Sequence, residues 1–268
     1  MTEELAAGKV RLDRPAEAVA RLTISRPEAR NALDHDVLGA IAEAMPGLDD
    51  GIETRCVILT GEGRAFSAGY DIAGIPDDSF ETDAEALVAH PFTAALDAVA
   101  RHPWPVVAAV NGHALGGGLE LALTADLRVC GRGAKLGMPP AKLGLIYGHT
   151  GLRRFIDAIG VPRTKELFLT GRNLDAERAG RIGLVHEVVE DADVERVSLE
   201  LAAEIAGNAP LSMKGNKRAI DTLRDNPELS AEQERELIEL RESCFRSADF
   251  REGIAAFGEK RKPRWRGE

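Results

Sequence analysis

Short apolar runs recur along the chain, and polar or glycine-containing segments separate them. They are rich in β-branched residues, and we interpret them as buried strands at 19–24, 56–59, 106–110, 127–130 and 184–189. In most of the intervals between these strands, apolar residues recur at helical spacing, which predicts helices at 32–48, 84–101, 149–159 and 163–169. Pro91 predicts a kink in the helix at 84–101. From residue 193 the pattern is helical almost to the end. This order predicts an α/β fold with a mostly parallel sheet and an all-helical C-terminal segment.

Three consecutive glycines, Gly116 to Gly118, stand between the predicted strand at 106–110 and a helix expected from Leu119. Glycine permits positive φ and lets a ligand approach the backbone closely. The following helix directs free N–H groups and its positive dipole end at the loop, which suits an anion or an oxygen that becomes anionic during reaction. A tight turn that binds nothing remains an alternative. The spacing matches neither GxGxxG nor GxxxxGK[ST], so a nucleotide-phosphate loop is not predicted.

A second loop of small residues, Ala65 to Ile72 (AFSAGYDI), follows the strand at 56–59. Small residues again allow a backbone amide to face a ligand. Taken alone, this loop could be an ordinary connection between a strand and a helix. The two loops together are far more specific than either of them.

The composition argues against several classes of protein. The 268 residues carry a net charge of −10 at pH 7, opposite to the balance expected of a nucleic-acid binder. Three cysteines without CxxC spacing suggest neither a zinc site nor a disulfide framework. Residues 1–14 contain no apolar core of a signal peptide, and no run approaches the about 18 apolar residues of a membrane span. We expect a cytoplasmic enzyme that binds neither nucleic acid nor membrane.

Both loops resemble the crotonase (enoyl-CoA hydratase/isomerase) superfamily. AFSAGYDI at 65–72 and PVVAAVNGHALGGGLELALTADLRV at 105–129 carry the resemblance, and RPEARNAL at 26–33 and matching segments at 170–185 and 251–263 extend it over residues 10–264. The resemblance implies a ββα superhelix core over 1–200 and a helical oligomerisation segment over 201–268. It also implies a homotrimer or homohexamer and an acyl-CoA thioester substrate. Coenzyme A then enters as part of the substrate, with no permanently bound cofactor and no metal.

The resemblance also assigns roles to single residues. The backbone N–H groups of Tyr70 and Gly117 would bind the thioester carbonyl oxygen and stabilise an enolate. Glu120 corresponds to the first catalytic glutamate of the family's hydratases, although a carboxylate in the first turn could simply interact with the helix dipole.

The same resemblance places the coenzyme A moiety. Ala29, Ala68, Asp71 and Ile72 would line its pantetheine and adenine portions. Lys260 would reach its phosphates, from the same or from a neighbouring subunit, and an equally good interpretation of Lys260 is a solvated helix end.

One position departs from the hydratase pattern. The second glutamate of the family's hydratases is replaced by Pro140, which has no proton to give. Pro140 followed by Tyr147 resembles the methylmalonyl-CoA decarboxylase branch instead. In that branch Pro140, Leu143 and Ile146 would supply apolar walls and Tyr147 a polar contact. That branch has histidine where this chain has Tyr70. We expect an enoyl-CoA hydratase-type lyase first; a malonyl- or methylmalonyl-CoA-type decarboxylase, or an acyl-CoA-binding protein without turnover, are the alternatives.

Overall fold

The computed structural model describes residues 2–71, 88–226 and 228–268. Its larger sheet has seven strands in the order β1-β2-β3-β4-β6-β8-β11. Five of them, from β3 to β11, pair in parallel, whereas β1, β2 and β3 are antiparallel neighbours. The strands are β1 (Glu3–Leu5), β2 (Val10–Ala16), β3 (Val19–Ile24), β4 (Cys56–Gly61), β6 (Val106–Val110), β8 (Leu127–Gly131) and β11 (Glu187–Val189).

The predicted parallel strands are thus confirmed, since β3, β4, β6 and β8 lie where the apolar runs predict them. The prediction for 184–189 was too long, because only Glu187–Val189 pairs with β8. The first two strands were not predicted, and one of them, β2, contains Pro15 and is mostly half-buried.

A second, smaller sheet was also not predicted. It has the order β10-β9-β7-β5 and consists of strands of two or three residues: β5 (Ala65–Ser67), β7 (His113–Leu115), β9 (Lys135–Gly137) and β10 (Leu174–Asp175). Gly61 and Gly112 let it pack closely beside the large sheet: a methyl group on Gly112 would lie 2.1 Å from the carbonyl oxygen of Arg64. The carboxyl ends of β4 and β6 therefore lead directly into the loops that precede the candidate site.

Helices cover the sheets. They are α1 (His35–Gly47), α2 (Thr93–Ala100), α3 (Gly117–Thr124), α4 (Pro140–Leu143), α5 (His149–Thr170), α6 (Ala176–Arg181), α7 (Val194–Ala206), α8 (Pro210–Asp225), α9 (Ala231–Arg246) and α10 (Ala248–Glu259). A π-helical turn, Val88–Phe92, contains Pro91 and precedes α2, so the expected irregularity is present; residues 84–87 of that prediction lie outside the described residues. Within α5, Gly160 has a φ of 72°, which divides it as the two predicted segments require.

Two apolar clusters hold these layers together. One lies between the large sheet and α7 and includes Ile58, Val107 and Val129. The larger cluster fills the other face, where α1 and α2 pack. Because α7 runs across residue 200, the predicted division there falls inside a helix that belongs to the core.

The C-terminal helices α8 to α10 are the all-helical segment that the sequence predicts. They leave large apolar side chains in solvent in this single chain: Ile220, Leu223, Ile238, Phe245, Phe250, Ile254 and Phe257. No helix in the described part of the chain has the length and apolar character needed to cross a membrane.

Candidate active site

The two glycine-containing loops meet at the N-terminus of α3. A methyl group on Gly69 would lie 2.7 Å from the carbonyl oxygen of Leu115 and 3.2 Å from the nitrogen of Gly117. Gly69 has a φ of 93° and Gly116 a φ of 53°, both in the region that favours glycine. Glycine is therefore required here for both backbone conformation and space. The predicted pairing of the two loops is realised in the structure.

The N–H groups of Tyr70 and Gly117 are oriented by this backbone. The Leu33 N–H donates to the carbonyl of Gly69 and the Asp71 N–H donates to the carbonyl of Leu33, so the Tyr70 N–H points away from Leu33. Gly117 is the first residue of α3, where an N–H has no intrahelical acceptor. Within the described residues, neither N–H donates to a protein oxygen. Two donors on adjoining loops suit a single oxygen that gains negative charge.

A third segment, residues 26–33, braces the Tyr70 loop. Asn31 is fully buried at a φ of 56°, and its side-chain amide donates to the carbonyls of Glu62 and Ala65 at 2.9 and 2.7 Å. The Ser67 hydroxyl in turn donates to the Asn31 carbonyl at 2.8 Å. Asn31 thus fixes the backbone on which the Tyr70 N–H depends.

Glu120, in the first turn of α3, is 2% exposed. Its Oε2 accepts a hydrogen bond of 2.5 Å from the Tyr147 hydroxyl, and its Oε1 accepts one of 2.9 Å from Nη1 of Arg154. Burial raises the pKa of Glu120, while Tyr147 and Arg154 act in the opposite direction. The result is a carboxylate that is held in one orientation and can exchange a proton.

Two tyrosines continue this network. The Tyr70 side chain lies beside the Tyr147 hydroxyl, which donates to Glu120. Burial raises the pKa of both phenols, and the nearby Glu120 raises that of Tyr147 further. The Tyr70 ring packs edge-on against Phe92, with centroids 4.8 Å apart, and Tyr147 packs against Phe168. Both hydroxyls therefore stay protonated at neutral pH.

The structure thus brings together four of the residues singled out in the sequence: Glu120, Tyr147, Tyr70 and Gly117. The segment that contains Pro140 behaves differently. Pro140 is buried as the first residue of α4, but Leu143 is 58% and Ile146 95% exposed. The expectation that Leu143 and Ile146 form apolar walls of the pocket is not met in this single chain, because Leu143 ends α4, Ile146 follows it, and both side chains lie in solvent.

The residues expected to hold coenzyme A are spread more widely. Ala29 and Ala68 are half-buried on neighbouring segments, joined by the Ala68 N–H to the Arg30 carbonyl at 3.0 Å. Asp71 accepts a hydrogen bond of 2.9 Å from Arg26, so its carboxylate is already engaged. Ile72 lies outside the described residues.

Lys260 lies far along the chain from these residues, at the C-cap of α10 with a φ of 54°. The segment that follows Lys260 packs against the ends of two helices. Trp265 donates to the Gly207 carbonyl at the end of α7, and Asp249 of α10 accepts from the Arg266 N–H. In the described chain none of these contacts involves Tyr70, Gly117 or Glu120. Among the described residues, Glu120 is hydrogen-bonded to Tyr147 and Arg154 and not to Lys260.

Sequence reasoning missed Arg154 and Gly151. Arg154 also lies 3.6 Å from Asp97 of α2, and so joins α5 to both α2 and α3. A methyl group on Gly151 would lie 2.9 Å from both carboxylate oxygens of Glu120, so glycine allows α5 to approach. The sequence offered only an indirect indication of Arg154: a buried glutamate requires a cationic or hydrogen-bonding partner.

Comparison with known proteins adds the following. A family model described as enoyl-CoA hydratase/isomerase matches residues 14–268. The putative enoyl-CoA hydratase/isomerase YngF of Bacillus subtilis is 38% identical over 256 residues, which cover 94% of this chain and 95% of that protein. The short-chain-enoyl-CoA hydratase of Clostridium acetobutylicum is 35% identical, with 91% of this chain and 92% of the relative covered. A carnitinyl-CoA dehydratase of Salmonella typhi is also 35% identical, with 93% and 95% covered.

Solved structures agree with the sequence relatives. The crystal structure of an enoyl-CoA hydratase from Bacillus anthracis superposes with a TM-score of 0.88 at 33% identity, covering 97% of this chain and 100% of that one. An enoyl-CoA hydratase/carnithine racemase structure from Magnetospirillum magneticum has a TM-score of 0.88 at 32% identity, covering 97% and 96%. These similarities confirm the predicted fold class.

Proposed function

This chain belongs to the enoyl-CoA hydratase/isomerase (crotonase) family, and on that premise we propose that it is a lyase that hydrates enoyl-CoA thioesters through an enolate. One observation carries the proposal: two backbone N–H groups, of Tyr70 and Gly117, donate to no oxygen of the described residues and adjoin one buried carboxylate, Glu120. The donors suit a thioester oxygen that becomes anionic, and the carboxylate suits a proton transfer beside it.

The N–H groups of Tyr70 and Gly117 form the oxyanion hole in this proposal. As water adds to the β-carbon, electrons move through the conjugated system onto the thioester oxygen. Loss of one such donor typically costs about 2.7–4 kcal/mol of transition-state stabilisation. Both donors are fixed before substrate arrives, because the Asn31 hydrogen bonds and the N-terminus of α3 define their directions.

Glu120 performs the proton transfers. It accepts a proton from water as the oxygen bonds to the β-carbon, and the enolate then takes a proton at the α-carbon. A single carboxylate is sufficient for both steps when the proton that Glu120 takes from water is the proton that it gives to the α-carbon. Tyr147 holds the Oε2 of Glu120 and thus its orientation. Pro140 adds no second acid, so Glu120 carries the hydratase chemistry of the described site.

A malonyl- or methylmalonyl-CoA-type decarboxylase is the second candidate. The replacement of the second glutamate by Pro140, together with a tyrosine beside the pocket, is the observation in its favour. Decarboxylation needs the oxyanion hole and a proton source but no base. An ionised Glu120 would repel the substrate's carboxylate, which is why hydration ranks first.

Two variants separate these reactions. For a hydratase, Glu120→Gln should lower kcat on crotonyl-CoA by about 10²–10⁴, the usual worth of general acid–base catalysis. For a decarboxylase, Glu120→Gln should be mild and Tyr147→Phe more harmful on methylmalonyl-CoA, through lost positioning. Steady-state kinetics of both variants on both substrates distinguish hydration from decarboxylation. A Glu120→Gln enzyme that hydrates crotonyl-CoA at the wild-type rate would refute the hydratase mechanism, and saturable acyl-CoA binding with no turnover would indicate a binding protein.

The oxyanion hole has its own test. Gly117→Pro removes the N–H at the first helical position, where proline is otherwise tolerated, although it restricts Gly116. Gly117→Ala is the matched control, since it keeps the N–H but adds a methyl group 3.0 Å from the Tyr70 ring. Turnover should be lost in Gly117→Pro and retained in part in Gly117→Ala. Equal activity of two folded variants would place the oxyanion hole elsewhere.

We further propose that Ala29, Ala68, Asp71 and Ile72 line the coenzyme A moiety and that no separate cofactor is required. Of these, Asp71 would contribute through its backbone, because its side chain is paired with Arg26. Lys260 would contact phosphate only from a neighbouring subunit.

The assembly in this proposal is a cytoplasmic homotrimer or homohexamer. The C-terminal segment from residue 201 supplies the interface, and the solvent-exposed Phe245, Ile254 and Phe257 support that role.

A further inference from the structure

Arg154 is the only arginine or lysine in the described part of the chain whose side chain contacts Glu120. It reaches the carboxylate from the second turn of α5, and its side chain is 25% exposed. Its Nη2 lies 3.6 Å from Asp97, which also pairs with Arg101 one turn along α2. Arg154 therefore connects a buried carboxylate to a partly exposed one.

The packing of α5 against α3 makes this contact possible. Gly151 lies one turn before Arg154 and has no side chain, which allows the helix to approach Glu120. The neighbouring Arg153 points outward instead, and pairs with Asp157 at 64% exposure. Two successive arginines on α5 thus have different environments, and one of them is directed into the pocket.

The charged and titratable groups that surround Glu120 can be enumerated for the described residues. Arg154 of α5 and the Tyr147 hydroxyl contact it directly, and Tyr70 follows behind Tyr147. Asp97 of α2 acts through Arg154. Arg128 lies at the opposite end of α3, where it donates to the carbonyl of Ala125.

Among the described residues, Arg154 is the one side chain that adds positive charge in direct contact with the carboxylate. Tyr147 and Tyr70 are neutral, Asp97 is negative, and Arg128 donates to carbonyls at the C-terminal end of α3. Burial alone would favour the protonated acid, which cannot accept a proton from water. An opposite charge within about 4–6 Å typically lowers a carboxyl pKa by about 1–3 units. The contact at 2.9 Å is well inside that range.

We propose that Arg154 is a positioning residue that keeps Glu120 ionised and oriented for proton transfer, with Asp97 moderating its charge. The inference rests on the proposed role of Glu120 and deepens it. Arg154 touches no substrate in this arrangement; it acts through Oε1 of Glu120, while Tyr147 holds Oε2. Without a second carboxylate at Pro140, the state of this one group determines whether the base is available.

The test is a direct titration of Glu120 by infrared difference spectroscopy, with Glu120→Gln identifying its band. Arg154→Met should raise the pKa of Glu120 by about 1–3 units, and Arg154→Lys by less than half as much. Arg153→Met removes the same charge from the same helix. It should shift the pKa of Glu120 by less than about 0.3 unit, because the Arg153 side chain is exposed. Asp97→Asn should leave the pKa of Glu120 unchanged or lower it.

The pH dependence of kcat provides the second measurement. Below its pKa the base is protonated and inactive, so the acid limb should move to higher pH in Arg154→Met by the amount found in the titration. An unchanged titration midpoint of Glu120 in folded Arg154→Met overturns the inference, as does an upward shift of that midpoint in Asp97→Asn. A shifted band in an enzyme that does not turn over enoyl-CoA would support the role of Arg154 and refute the proposed reaction, so the two failures are distinguishable.

Discussion

Replacing Gly151 with alanine should disturb the candidate site through one methyl group. That methyl group would lie 2.6 Å from a ring carbon of Tyr147 and 2.9 Å from both carboxylate oxygens of Glu120. Ordinary contact begins at 3.4 Å, so the ring must retreat by about 0.8 Å and the carboxylate by about 0.5 Å. Neither can move freely, because Tyr147 packs against Phe168 and Glu120 is held at both oxygens.

The cost of this displacement appears in two measurements. Overpacking of a close-packed interior typically costs about 1–3 kcal/mol of unfolding free energy. A misplacement of about 1 Å in a catalytic group can lower the rate by about 10²-fold. The assays are urea unfolding and kcat/KM for enoyl-CoA hydration, followed by the loss of the conjugated thioester absorbance.

Gly39→Ala is the matched control. Gly39 lies inside α1, where a methyl group would meet nothing within 4 Å. Alanine should stabilise that helix by up to about 1 kcal/mol and leave activity unchanged. If Gly151→Ala retained both wild-type kcat/KM and wild-type stability, the close approach of α5 to Glu120 would be refuted.

Two further predictions concern regions outside the site. His102 is 2% exposed, and burial, followed by the nearby Lys217, lowers its pKa to about 4. Its unfolded-state pKa is about 6.5, so stability should be lost as pH falls between these values, by at most about 3 kcal/mol, and pH-dependent unfolding of His102→Gln should lack that loss. Phe257 is 88% exposed, and Phe257→Glu should weaken the proposed assembly in sedimentation experiments, whereas Leu169→Glu, on a side chain 73% exposed outside the C-terminal segment, should not. Equal sedimentation of both variants with the wild type would contradict the assignment of that surface.

Those elements with a strong local signal could be predicted from the sequence. β4 and β6 are continuous apolar runs buried throughout most of their length, and α3 begins within the triple glycine. The strands of the small sheet have two or three residues each, too few to show a period. They form because the glycines at 61, 112 and 118 let segments of different parts of the chain approach, which no local pattern reports.

The same distinction applies to the site. Tyr70, Gly117 and Glu120 lie within motifs whose residues are adjacent in sequence. Arg154 contacts Glu120 across 34 residues, and the contact depends on how α5 leans on α3 at Gly151. Tyr147 was singled out because the segment from Pro140 resembles the decarboxylase branch, but its hydrogen bond to Glu120 across 27 residues could come only from the structure.

The charge balance of the pocket explains why one carboxylate can be sufficient. Glu120 and Arg154 form a neutral pair, and the two tyrosines beside them stay protonated. A glutamate at the position of Pro140 would require a second cation or a bound proton to avoid repulsion in a poorly solvated site. In the proposed mechanism Glu120 takes a proton as the thioester oxygen becomes anionic, so the pocket gains no net charge. The Tyr70 and Gly117 N–H groups would then stabilise that oxygen without a competing anion nearby, which supports the proposal of enolate chemistry over simple binding.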